Sequence, residues 1–193
     1  MNALPYLAAA ALLCASTPAG VVINEIFYNA PEEVADLEWV ELHNAGDAPA
    51  DLSGWEFTKG LKFKFPPGTL LRPNGFLVLC HNRQRFAEYY QAPVFGEFSQ
   101  KLSNKGERLE LVDSTGQVAD RVKFSDDAPW PSGADGESGS LERICPSSPG
   151  DDPLNWSSSP LSPDGIRPMG SPAERNHSFS AMFPPVIAAV TIQ

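Results

Sequence analysis

The sequence predicts an all-β sandwich of about seven to nine strands with one short helix, and three observations lead there. From Val21 to about Phe124 the chain is a succession of short apolar or alternating runs, each closed by turn residues. The runs are rich in β-branched and aromatic side chains, and no long helical period interrupts them. At 193 residues the chain can bury one proper core, with some tail or linker left over.

The N-terminus, MNALPYLAAAALLCASTPAG, carries an apolar run from Leu4 to Ala15 with small residues at Thr17 and Ala19. It reads as a secretory signal over residues 1–19, too short to span a membrane as a helix, although no Lys or Arg precedes the apolar run. Leu13 stands before Cys14 where a lipid-attachment site favours a small residue, so free secretion is expected. The strand candidates then follow in order: VVINEIFY (Val21 to Tyr28), EWVELHN (Glu38 to Asn44), LSGWEFT (Leu52 to Thr58), Phe63 to Phe65, and Phe76 to Cys80. Asn74-Gly75 before the last of these is the strongest short hairpin signal in the chain. Asn82 can cap the stretch RQRFAEYY, where Phe86, Tyr89 and Tyr90 make one apolar side of a short crossover helix. The segment ERLELVDSTGQVADRVKF alternates on both sides of Asp113-Ser114-Thr115-Gly116, which predicts a hairpin with Leu109 and Leu111 on one face of its first strand and Val118, Val122 and Phe124 on one face of its second. Beyond Phe124 the composition shifts to Pro, Gly, Ser and Asp, and 11 of the 19 prolines lie from Pro129 onward. One strand is expected there, SLERI (Ser140 to Ile144), before a Pro/Ser-rich linker over 158–183. PPVIAAVTIQ resumes an apolar pattern, so 184–193 reads as the first strand of a missing or truncated domain, or as an edge strand of the sandwich.

A formal net charge of -10, from 24 acidic against 14 basic residues, disfavours nucleic acid and anionic membrane surfaces as partners. The nearest approach to a basic patch, KGLKFK, holds three lysines and reads as a solvated face. Cys80 and Cys145 remain after signal removal, and in an oxidising compartment a disulfide between them is expected, with two separately buried thiols as the alternative.

The order VINEI, EWVELHNAGD, DLSGWEFT, PGTLLRPNGFLVL, LSNKGERLELVDSTGQVADRVKF, DDAPWP, SLERI and NW resembles the bacterial lamin-tail domain family over about Val21 to Ser157. The resemblance implies an immunoglobulin-like β-sandwich over 20–157 and a secreted or cell-surface interaction or scaffold module without chemistry of its own. Its partner would be a surface protein or glycan. The DNA-binding role discussed for nuclear lamin tails does not suit so acidic a chain. The other functional reading is an N-terminal accessory domain of a truncated secreted hydrolase.

Chemistry was sought in DLEWVELHN, where the strand period places Trp39, Glu41 and His43 on one face and Glu38, Val40 and Leu42 on the other. Glu41 and His43 could pair as acid and base, but no nucleophile or metal motif stands beside them, and in the resemblance they belong to the scaffold. No catalytic, cofactor or metal residue is therefore expected. Gly136-Glu137-Ser138-Gly139-Ser140 falls short of a nucleophile elbow because Ser140 replaces the second Gly. Asp126-Asp127, Asp135 and Asp151-Asp152 offer oxygen ligands of the kind Ca2+ takes, and equally read as solvated loops. Trp130 and Trp156, in Pro-rich sequence, are expected as buried plugs at the end of the sandwich, the alternative being a partner surface.

Overall fold

The computed structural model describes residues 20–182, so the signal read over 1–19 and the strand read over 184–193 lie outside the described residues. Eleven strands are formed: β1 Val21–Phe27, β2 Trp39–Asn44, β3 Ala50–Asp51, β4 Glu56–Lys59, β5 Leu70–Leu71, β6 Phe76–Cys80, β7 Val94–Glu97, β8 Arg108–Val112, β9 Val118–Lys123, β10 Leu141–Arg143 and β11 Trp156–Ser158. Four of them have only two or three residues, which is why alternation alone undercounts them. One sheet runs β11-β10-β1-β2-β6-β7, a second β4-β8-β9, and β3 pairs with β5. The one α-helix among the described residues, α1 (Arg83–Ala87), is capped as expected, with Asn82 accepting from the Arg85 N–H at 2.9 Å. It carries the chain from β6 to the parallel strand β7.

Inward side chains of the sheets make one apolar core, which includes Ile23, Ile26, Val40, Leu42, Leu77, Leu79, Leu109, Leu111, Val122 and Phe124. β1 keeps its place in this core through a bulge. Val21 and Ile23 point inward, the register with β2 shifts between Ile23 and Glu25, and Ile26 and Tyr28 then point inward in the new phase. Without that extra residue the period of two would drive Glu25 into the apolar core. The bulge backbone is bound by a buried ion pair: Asp120 on β9 accepts from the Ile23 N–H (2.8 Å), and Arg143 on β10 donates to the Ile23 carbonyl (3.1 Å) and to Asp120 (2.6 Å).

Two sequence expectations are modified here. The Pro73-Asn74-Gly75 turn forms, with Asn74 at φ 53°, but it leads from β5 to β6, and these strands belong to different sheets. The β8–β9 hairpin forms around Asp113–Gly116, yet Val118 is half exposed because the register slips between Leu111 and Val112.

The outer face of the large sheet is covered twice. Over β2 and β6, α1 and the residues after it bury Phe27, Val34, Leu37, Trp39, Val78, Cys80 and Phe86 as a second apolar cluster. Over β10, β1 and β2 lies the stretch expected as a linker. Residues 159–182 form no strand or helix, but Ser159, Ser162, Ser171 and Asn176 are buried, and the Met169, Ser171 and Ser180 N–H groups bond to the sheet or the loop before it.

Candidate functional site

Of the residues that suggested chemistry, Glu41 lies under this strap, in company with two glutamates that did not. Glu25 on β1 is the register partner of both Glu41 on β2 and Glu142 on β10, and all three side chains point to the outer face. Three glutamates thus stand in a row across neighbouring strands, with Cα atoms of register partners about 5 Å apart by strand geometry, and all three residues are 0% exposed.

The strap supplies donors to each of them. Ser171 gives its N–H to Glu25 Oε1 and its hydroxyl to Glu25 Oε2, both at 3.0 Å, while the Ser140 hydroxyl lies 2.5 Å from Oε1. Glu41 accepts from the Ala173 N–H (2.5 Å) and the Asn24 amide (2.9 Å). Glu142 accepts from the Ser178 N–H at 3.0 Å and meets His177 Nδ1 at 2.8 Å. Asn176 closes the set. Its amide donates to the carbonyls of Asn24 (3.0 Å) and Arg143 (2.9 Å), and its Oδ1 accepts from the Asn24 side chain at 2.8 Å. The strap passes so close that a Cβ on Gly170 (φ +123°) would lie 2.9 Å from both Glu25 Oε1 and the Trp39 ring.

Burial, with a smaller contribution from the Glu142 charge, pushes the Glu25 carboxyl up to about 8 against the hydrogen bonds from Ser140 and Ser171. Glu41 is likewise held well above the ordinary range by burial and the charge of Glu25. A carboxyl kept protonated in the dry interior serves as a hydrogen-bond hub here.

Glu41 and His43 do not hydrogen-bond to each other. His43 Nδ1 lies 3.1 Å from the Gly75 carbonyl, its ring stacks on Phe76 with centroids 4.5 Å apart, and burial lowers its pKa. The scaffold reading of the pair therefore has a physical basis, and the face is dry. Ser138, with φ 78°, is fully buried, and its hydroxyl meets the Ser162 N–H and hydroxyl at 3.0 Å.

The expected disulfide is corrected. Cys80 and Cys145 are free buried thiols. Cys80 ends β6 and Cys145 follows β10, with β1 and β2 lying between those strands. Three strand spacings amount to about 14 Å, well beyond the reach of a disulfide. Burial pushes the Cys80 thiol up to about 11, and Cys145 Sγ sits 3.1 Å from the Ser147 hydroxyl. Trp130 and Trp156 belong to the main core, 9% and 4% exposed, with ring centroids 6.1 Å apart, so neither offers a partner surface. The acidic loops are engaged: Asp126 with Lys105, Asp151 with Arg121, Asp135 with the Asn29 amide, and Asp152 with the Leu154 N–H. Among the described residues no group of three or more His, Cys, Asp or Glu is placed to hold a metal ion, and no helix is long and apolar enough to cross a membrane.

Sequence reasoning missed Glu25, Glu142, Asn176 and Arg143. The one available signal was the broken alternation in VVINEIFY, which marks the bulge that turns Glu25 outward. A separate open cleft of about 580 Å³, lined by Asn29, Glu32, Asp36, Glu38, Lys101 and Asn104 among others, lies at one end of the sandwich, away from the glutamate row.

The Lamin Tail Domain family profile matches residues 15–126. No curated protein gives a match. Among solved structures, a DUF4876 family protein from Bacteroides thetaiotaomicron is similar at 11% identity and a TM-score of 0.47, covering 86% of this chain and 72% of that one.

Proposed function

The chain belongs to the Lamin Tail Domain family, and from that premise we propose that it is a secreted or cell-surface scaffold module that holds a surface protein or glycan. The observation that carries this reading is the sealed glutamate row. The side chains best suited to acid/base work are 0% exposed and spend their oxygens on fastening the strap to the sheet. Such a β-sandwich is suited to presenting its surface and to positioning whatever adjoins it. In this reading residues 1–19 are removed on export, and the functional unit runs from 20 to 182, beyond the 157 at which the family-like motifs end.

The test is co-sedimentation of the exported full chain with washed cell-envelope fragments, separated into protein and polysaccharide fractions. Saturable binding that persists in Glu41→Gln supports the reading. No binding to either fraction, or substrate turnover abolished by Glu41→Gln with the fold intact, overturns it.

A further inference from the structure

We propose that residues 169–180 form a proton-dependent strap, closed over the β10-β1-β2 face while the glutamate row holds protons and released when the row ionises. The geometry alone demands shared protons. Glu25 has a fully buried glutamate as its register partner on each side, and the Ser171 hydroxyl lies 3.0 Å from Glu25 Oε2 and 3.4 Å from Glu142 Oε1, so the row cannot all carry charge in a dry interior, just as two carboxylates forced to share a site cannot both ionise. The charged and titratable groups around the row do not relieve this. From the strap, His177 reaches Glu142 but is itself half exposed, and Arg175 is exposed, over the Phe179 ring at 4.7 Å. From β10, Arg143 is committed to Asp120, Ile23 and Ser148. From β2, His43 is bound at Gly75. From the segment after α1, Tyr90 donates to the Met169 carbonyl and is itself shifted upward by burial. No lysine or arginine bonds to any of the three carboxyls among the described residues.

The strap is the element that gives way. β1, β2 and β10 are tied by ladder bonds and the apolar core, whereas the strap over the row is held by single hydrogen bonds to these carboxyls, to Asn24 and to the backbone. The upward shifts of Glu25 and Glu41 spread the loosening from the ordinary carboxyl range up to the raised values, about 8 for Glu25. Opening lengthens the tether. Residues 169–182, once free, can extend to about 50 Å, so whatever follows residue 182 gains reach from the sandwich. The inference goes beyond the scaffold reading and stands on the row itself, whichever partner the module holds.

Trypsin tests it, because Arg175 is exposed at the surface but its chain neighbours are pinned. Cleavage after Arg175 in the full chain is measured at pH 6 and pH 8, each rate divided by that of a free peptide spanning the same residues. Above the ordinary carboxyl range and below the raised pKa of the row, the relative rate rises by about tenfold per pH unit if one proton is lost on opening, and it levels off once the closed row is itself ionised. In Glu25→Gln and Glu41→Gln, neutral isosteres of the protonated acids, the rise is flattened. A relative rate that does not change with pH in the parent overturns the strap, and so does an equal rise in both variants. Where the variants do not fold, proton release decides: unfolding the parent in urea at pH 7.5 in weak buffer liberates about one proton, and no release overturns the proposal.

Discussion

Trp39 shows how one side chain ties the fold to the covered face. It is 0% exposed, stacks on Phe27 with centroids 5.9 Å apart, and meets Phe86 and Tyr90 edge-on at 6.2 Å and 5.7 Å. Trp39→Ala is expected to cost about 3–5 kcal/mol in urea unfolding, the range for emptying a large aromatic site. Arg143 works by a different cause. Its guanidinium binds the Asp120 carboxylate and the bulge carbonyl in near-complete burial, so Arg143→Ala leaves a charge and a carbonyl unpaired, at a cost of about 3–5 kcal/mol. A midpoint unchanged from the parent would show that the pair is dispensable. Alkylation followed by mass spectrometry checks the thiols: Cys80 and Cys145 should both be unreactive in the native protein and both react in denaturant without reductant.

At the scale of elements, the strands that carry the core were legible in the sequence and the covering segment was not. Period-two alternation placed Val40 and Leu42 inward, and Asn82 announced the helix, because both signals are local. Residues 159–182 have no period to read. They are held by backbone N–H groups and short polar side chains donating to acceptors distant in sequence, as Met169 does to Ser138 and Ser171 to Glu25. Asn176→Ala should therefore loosen the strap by about 1–3 kcal/mol, the cost of leaving buried carbonyls unpaired, while β8 and β9 stay intact. Limited proteolysis within 159–182 reports that loss. The pH dependence has a fixed sign. The folded-state pKa of Glu25 is raised from an ordinary 4.5 to about 8, so its contribution to stability is complete below the ordinary value and is lost as pH rises through about 8. Urea stability should fall between pH 5 and pH 8 by something on the order of 2 kcal/mol, and Glu25→Gln should flatten that slope. A stability that rises across the same interval would contradict the assignment.

For the molecule as a whole, the family motifs mark out the sandwich through its eleventh strand, but the folded unit is longer. The strap adds no strand, yet it converts an outer face bearing three carboxyls and Asn24 into an interior. That conversion separates two readings of the same residues. An open glutamate row with a histidine nearby would be a candidate for acid/base chemistry, and a sealed one is a fastening. Native-state hydrogen exchange on the full chain at pH 6 tells them apart most directly. If the strap is part of the folded unit, the amides of Ser171, Ala173 and Ser178 exchange slowly, together with those of β1 and β2, and exchange of these three amides at the rate of an unstructured peptide would contradict it.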